Sequence, residues 1–112
     1  MIIQIFGTKK CKDTQKALRF FKERRIDIQF IDLNIKGLSS GELKSVSNSI
    51  PLDSLINKNG REYEKRNLKY IVHNTEEVLL EYPLLFSTPI VRCGKKASLG
   101  HDPDIWKEWI KN

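Results

Sequence analysis

One stretch near the start of the chain constrains the fold more than any other. Residues 2–6 form an apolar run that is typical of a buried strand, and residues 12–24 have the apolar spacing of an amphipathic helix. The turn between them carries Gly7 and Cys11, so this cysteine stands where a strand ends and a helix begins. With a second apolar run at 26–33, the pattern predicts a βαβ unit with parallel strands.

The position of Cys11 predicts a reactive thiol. A helix start presents unpaired N–H groups and the positive end of the helix dipole, and both favour the reactive thiolate. Lysines at 9, 10, 12 and 16 act in the same direction, whereas Asp13 opposes them. We therefore expect Cys11 to belong to a site that holds an anion. An ordinary surface cysteine in a basic loop is the alternative.

The middle of the chain, about 38–82, predicts helices and no strand. Ser39 or Ser40 is suited to cap a helix, with Glu42 near the position that a capping box requires. Further helices are predicted around 52–56, over 61–69 and from Asn74 or Thr75 to about 82. This stretch is too short for a separate domain, so we interpret it as a helical insertion in one domain that spans 1–112.

The last third of the chain returns to strands. Residues 89–93 and 96–99 are strand candidates joined by a tight turn at Gly94-Lys95. Asp102 followed by Pro103 is a helix start, and the tryptophans at 106 and 109 supply its apolar face. The predicted order is β-α-β, helices, then β-β-α.

Composition narrows the function classes. The chain has 112 residues and a net charge of +6, but its basic residues alternate with acidic ones and show no zinc-finger or RRM pattern, so nucleic acid is not the expected partner. No apolar run reaches the ~18 residues of a membrane helix. Met1 leads directly into a strand, and two cysteines make no disulfide framework, so we expect no signal peptide and a cytoplasmic monomer. The isolated His73 and His101 predict no metal site.

The element order, with Cys11 after the first strand and Thr88-Pro89 before the third, resembles the thioredoxin-like (glutaredoxin-like) α/β fold. With its helical insertion, essentially the whole chain resembles the arsenate reductase/Spx-like family. The sequence markers are Gly7-x-Lys9-x-Cys11, Lys16-Ala17, the run 55–60 (Leu-Ile-Asn-Lys-Asn-Gly), Pro83-Leu84-Leu85, Ser87-Thr88-Pro89-Ile90-Val91 and Leu99-Gly100.

The resemblance implies a site and a reaction. Pro89 would follow a cis bond beside Cys11, and the Thr88 backbone would pair with an extended thiol substrate such as glutathione. Cys11 would be the nucleophile that attacks an oxidised or oxyanionic substrate. Glutathione or another small thiol would be a co-substrate, with no bound cofactor. The implied substrate-binding or thiol-binding residues are Lys9, Lys12, Thr14, Thr88, Pro89 and Lys95.

The chain departs from the family at several positions. Arsenate reductases hold the oxyanion with arginines, but two of those positions are Asn57 and Thr88 here, and Lys95 or Lys96 is the nearest counterpart of a third. Neither asparagine nor threonine replaces the bidentate arginine, so we expect weak or absent arsenate reduction.

The cysteine pattern bears on the reaction type. Family regulators carry Cys-x-x-Cys, whereas Thr14 takes the second position here. Cys93 should lie roughly 13 Å along its strand from Pro89, too far for a disulfide, which needs Cα atoms within about 7 Å. The expected function is a monothiol reductase resembling arsenate reductase. Two alternatives stay open, namely a non-enzymatic Spx-like regulator that binds RNA polymerase and a scaffold with a decayed site.

Overall fold

A computed structural model describes residues 2–111 as a mixed α/β structure with one four-stranded sheet. The strands are β1 (Ile2–Gly7), β2 (Asp27–Asp32), β3 (Ile90–Cys93) and β4 (Lys96–Leu99). The helices are α1 (Lys12–Glu23), α2 (Ser40–Ser47), α3 (Leu52–Leu55), α4 (Arg61–Lys65), α5 (Thr75–Glu81) and α6 (Pro103–Ile110), with 3-10 turns at Leu68–Tyr70 and Pro83–Leu85.

The sheet order is β2-β1-β3-β4. Strand β1 runs parallel to β2 and antiparallel to β3, and β3 and β4 form a hairpin. Gly94 has φ +59° in the hairpin turn, a conformation that favours glycine. Because Phe6 of β1 lies opposite Ile90 of β3, the carboxyl end of β1 meets the amino end of β3. This register places the turn before α1 next to the residues that precede β3.

Each face of the sheet packs against its own set of helices. One side of the sheet, which we call the aromatic face, is covered by α1 and α6. The residues buried there are Ile3, Ile5, Ala17, Phe21, Val91, Trp106 and Trp109. Alternating side chains point to opposite faces of a strand, so Phe6 and Ile90 face the other way. There they join the helical-segment face, which residues 40–85 cover through Leu43, Val46, Leu55, Leu79 and Leu85.

The helix starts follow the sequence signals closely. Ser39 caps α2 in a full capping box, since its hydroxyl accepts from the N–H of Glu42 and the Glu42 carboxylate accepts from the N–H of Ser39. Asn74 caps α5 and Asp102 caps α6 through side-chain oxygens. The helix starts predicted at these residues are therefore confirmed, and the observed order of strands and helices also agrees with the prediction.

The structure differs from the sequence prediction at two points in the middle of the chain. The helix expected over 61–69 ends at Lys65, because Asn67 adopts the left-handed conformation with φ 54° and starts a separate 3-10 turn. Ile56, predicted within a short helix, instead forms an isolated antiparallel bridge to Phe86. Two backbone hydrogen bonds flank this bridge, from Asn57 to Leu85 at 2.8 Å and from Ser87 to Leu55 at 2.7 Å.

No helix within residues 2–111 is both long enough and apolar enough to cross a membrane.

Candidate functional site

Cys11 lies directly before α1 and acts as its N-terminal flanking residue. Its backbone is extended, with φ −74° and ψ 118°, and its carbonyl accepts the first helical hydrogen bond from Gln15 at 3.1 Å. The turn is closed by the Cys11 N–H, which donates to the Thr8 carbonyl at 3.2 Å. The side chain is only partly buried. The thiol is therefore fixed in position and still accessible from solvent.

Thr88 hydrogen-bonds the thiol through its side chain. Its hydroxyl donates to Cys11 Sγ at 3.1 Å, and the protonated thiol in turn faces the Thr88 carbonyl at 3.8 Å. The Thr88–Pro89 peptide bond is cis, and Pro89 is buried. Thr88 comes to Cys11 from the opposite end of the sequence because β1 and β3 are adjacent in the sheet.

Thr14 lies one helical turn beyond Cys11 and is completely buried. Among the described residues its hydroxyl has no hydrogen-bond partner of standard geometry. It is nevertheless close enough to the sulfur to favour its charged form, as are the N–H groups of Thr14 and Asp13. A thiolate is a stronger acceptor than a thiol, so we expect these contacts to shorten on deprotonation.

The balance of these effects favours the thiolate. Partial burial raises the pKa of the Cys11 thiol, but the Thr14 and Thr88 hydroxyls and the N–H groups of Thr14 and Asp13 outweigh it, so the net pKa is lowered. The leading contributions that lower it are thus hydrogen-bonding groups. Of the two causes that the sequence predicts, the N–H groups at the helix start contribute to the lower pKa, whereas no lysine charge is among its causes.

The lysines next to Cys11 in the sequence lie at the surface. Lys9 and Lys12 have exposed side chains, and the Lys9 carbonyl accepts a 2.6 Å hydrogen bond from the Gln15 side chain. Within residues 2–111, neither Lys9 nor Lys12 forms an ion pair, whereas Lys16 approaches Asp13 at 3.9 Å. Their charges are available to an incoming anion.

Lys95, expected from the sequence at the site, lies elsewhere. It is in the β3–β4 turn, beyond the pair Cys93–Lys96, whereas Thr88 lies before the other end of β3. At ~3.3 Å per residue, the length of β3 separates the two positions, so the structure does not bring Lys95 to Cys11. Cys93 lies at the same far end, is a free thiol, and packs against the aromatic face.

The turn that holds Asn57 is ordered by its own side chains. Asn57 Oδ1 accepts from the Asn59 N–H at 3.2 Å, and Lys58 forms a 2.8 Å ion pair with Asp53. The Asp53 carboxylate raises the pKa of Lys58, whose side chain is about half exposed. The bridge between Ile56 and Phe86 ties this turn to the segment that ends in Thr88. In residues 2–111, no group of three His, Cys, Asp or Glu side chains is placed to hold a metal ion.

A thiol at the start of α1, facing the residue before a cis-proline in a β2-β1-β3-β4 sheet, defines a thioredoxin-like protein. The ArsC family matches residues 6–109, and the chain belongs to it. This membership places the chain in a family of thiol oxidoreductases.

The chain is also similar to individual proteins and shares its fold with solved structures. An uncharacterised protein of Haemophilus influenzae is 30% identical over 105 residues, covering 88% of this chain and 90% of its own. A putative ArsC family related protein from Bacteroides fragilis has the same fold, with a TM-score of 0.84 at 20% identity over 97% and 98% of the two chains. An arsenate reductase from Vibrio cholerae gives 0.82 at 22% identity over 98% of each chain.

Proposed function

We propose that this protein is a monothiol oxidoreductase in which Cys11 is the nucleophile and a small thiol such as glutathione is the reductant. The observation that carries the proposal is the environment of Cys11, whose thiolate is favoured by two threonine hydroxyls and two N–H groups. Family membership supports the same class of reaction. Lys9, Lys12, Thr14, Thr88 and Pro89 form the proposed binding surface around the sulfur.

The reaction is a pair of thiol–disulfide exchanges. The Cys11 thiolate attacks one sulfur of a disulfide substrate, forms a mixed disulfide with that half and releases the other half as a thiolate. A glutathione thiolate then attacks the substrate sulfur of the mixed disulfide, which regenerates the Cys11 thiolate and leaves a glutathione–substrate disulfide. One exchange is needed to load the enzyme and one to release it, so no second protein cysteine is required.

The residues around Cys11 explain why an external thiol is needed. Thr14 occupies the position of a local resolving cysteine, and Cys93 lies at the far end of β3. Thr88 and Asn57 stand where the arsenate reductases that this chain resembles carry arginines. The site therefore has groups that stabilise a thiolate but lacks the arginines that bind an oxyanion through two hydrogen bonds. We therefore propose disulfides of small thiols as better substrates than arsenate.

The proposal is tested by treating the purified protein with oxidised glutathione and measuring adducts by mass spectrometry. Wild type and Cys93→Ser should each take up one glutathione on Cys11. Added reduced glutathione should remove it as oxidised glutathione and restore the free Cys11 thiol, whereas Cys11→Ser should take up none. Thr88→Val should form the adduct several-fold more slowly at neutral pH, because it loses the 3.1 Å hydrogen bond to the sulfur. An adduct confined to Cys93, or an adduct on Cys11 that glutathione does not release, would contradict the proposal.

The non-enzymatic alternative predicts a different result. A regulator that binds RNA polymerase should be retained on the purified polymerase whether or not Cys11 is present. We expect wild type and Cys11→Ser to show no such retention.

A further inference from the structure

Gly7, the last residue of β1, is packed directly against Thr14 of α1. A Cβ placed on Gly7 would collide with Thr14 Oγ1, and it would lie 2.6 Å from Cγ2 and 3.0 Å from Cβ of the same residue. Both residues are buried, so neither can move into solvent. The strand and the first turn of the helix approach this closely only because position 7 has no side chain.

Rotating the Thr14 side chain cannot relieve such a collision. Two of the three staggered positions around its Cα–Cβ bond are those that a Gly7 side chain would block. Threonine has two heavy atoms on Cβ, so every rotamer leaves at least one of them in a blocked position. Adding one methyl group at position 7 must therefore displace Thr14 as a whole.

The Thr14 hydroxyl is where this displacement matters chemically. It is buried, it has no hydrogen-bond partner of standard geometry among residues 2–111, and it lies beside the sulfur of Cys11. A buried hydroxyl without a partner is costly, and a thiolate is a partner that would satisfy it. We infer that Gly7 is a positioning residue for the Cys11 thiolate, because its missing side chain holds the Thr14 hydroxyl beside the sulfur.

This inference rests on the proposed role of Cys11 but concerns a different property. If Gly7 serves packing alone, a side chain there lowers stability and leaves the ionisation of Cys11 unchanged. If Gly7 positions Thr14, the same change raises the pKa of Cys11, and it does so only while residue 14 has a hydroxyl. A pH profile therefore distinguishes the two roles.

The experiment measures the rate of alkylation of Cys11 by iodoacetamide against pH, in a Cys93→Ser background so that one thiol reacts. Gly7→Ala should shift the pH profile of alkylation to higher pH. At pH 7 alkylation should become about tenfold slower, the ratio expected for one lost hydrogen bond to a charged group. Gly41→Ala is the matched control, since a Cβ on Gly41 of α2 meets no atom within 4 Å. Its profile should stay that of the parent.

Two further backgrounds make the result decisive even if Gly7→Ala alone does not fold. Serine at position 14 has a single heavy atom on Cβ, which can turn away from a new methyl group. Adding Gly7→Ala to Thr14→Ser should therefore give a folded protein with a raised profile. The double variant Gly7→Ala with Thr14→Ala should have the same pH profile as Thr14→Ala alone.

An unchanged profile in the serine background, or an equal upward shift in the serine and alanine backgrounds, overturns the inference. The measurement requires no turnover. A protein that shows the expected pattern but fails to exchange with glutathione would contradict the proposed function and leave the role of Gly7 standing.

Discussion

The two faces of the sheet are built in different ways. The aromatic face is covered by α1 and α6, which are 12 and 8 residues long, and Trp106 lies at its centre with ring centroids 5.2 Å from Phe20 and 5.5 Å from Phe21. The helical-segment face is covered by four helices of 4 to 8 residues and two 3-10 turns. Next to it the chain exposes Tyr70, Ile71 and Val72.

Because of this difference, the residues that hold the Cys11 thiol and the residue that hydrogen-bonds it depend on different faces of the sheet. Cys11 and Thr14 are held by α1, and therefore by the aromatic face. Thr88 arrives at the end of the segment that covers the opposite face. Local opening is easier where helices are short, and the helices of this segment are 4 to 8 residues long. We expect a destabilising substitution on the aromatic face to change the environment of Cys11 directly. A substitution on the helical-segment face should change it only through Thr88.

The largest effect is expected for Trp106→Ala. The side chain is fully buried, and its Nε1–H donates to the buried Ser98 hydroxyl at 2.8 Å, so the change leaves both a cavity and a lost hydrogen bond. Unfolding by urea should show a loss of about 3–5 kcal/mol. Ile105→Ala, an exposed position on the same helix, is the control and should cost well under 1 kcal/mol. A loss below about 2 kcal/mol for Trp106→Ala would show that Trp106 is not the residue on which the packing of α6 against the sheet depends.

Leu79→Ala tests the opposite face. Leu79 is fully buried in α5, and its truncation should cost about 2–4 kcal/mol in the free energy of unfolding. Because it lies in the helices rather than beside α1, the pH profile of Cys11 alkylation should stay that of wild type. The exposed Leu84→Ala is the matched control for the loss of apolar area. If the Cys11 profile moves with Leu79→Ala, the two faces are coupled more tightly than their packing indicates.

Ser39→Ala removes the capping box of α2. The N–H of Glu42 loses its 3.1 Å hydrogen bond to the Ser39 hydroxyl, so unfolding should become easier by about 1 kcal/mol. The next residue provides the comparison, since Ser40→Ala changes a serine inside the same helix that does not cap it. Equal effects of the two changes would mean that the cap contributes nothing to this face.

The smallest effect concerns pH. Since the folded state lowers the pKa of Cys11, its thiolate stabilises the fold above the thiol's ordinary pKa, and the contribution disappears as pH falls through the lowered value. The advantage of wild type over Cys11→Ser should therefore grow as unfolding is measured from about pH 6 to pH 9. Ser40→Ala, which removes no titratable group, is the control and should show no such trend. A difference that shrinks with rising pH would mean that burial outweighs the hydrogen bonds at Cys11.

The sequence predicts those parts of the fold that local patterns encode. The Ser39 and Glu42 pair, Asn74 and Asp102 mark helix starts because a cap acts within one turn of chain. Asn67 was missed, since its polar neighbours are compatible with either a continuous helix or a break. The Ile56–Phe86 bridge was missed because it joins residues that are far apart in the sequence, and no local pattern reports such a pairing.

The candidate site divides in the same way. Cys11 was found from its place between a strand and a helix. Thr88 was expected to present its backbone to a substrate. Its hydroxyl contact with Cys11 joins two residues 77 positions apart and depends on β1 and β3 meeting in the sheet. Lys95 was misplaced because charge alone does not say at which end of a hairpin a residue lies. The packing of Gly7 against Thr14 has a signal in the sequence, the glycine before the turn, but its distance requires the structure.

The bridge between Ile56 and Phe86 also determines how the length of the segment between them affects the entropy cost of folding. It makes the segment between these residues a closed loop whose two ends meet just before Thr88. The entropy cost of closing a flexible loop rises only with the logarithm of its length, by about 0.6 kcal/mol for each doubling. The two hydrogen bonds at the neck of the loop therefore hold the chain just before Thr88 with little dependence on loop length, and the pairing of β3 with β1 holds it on the other side. Added residues in its exposed part, around 70–73, would change the size of the loop and leave Thr88 beside Cys11.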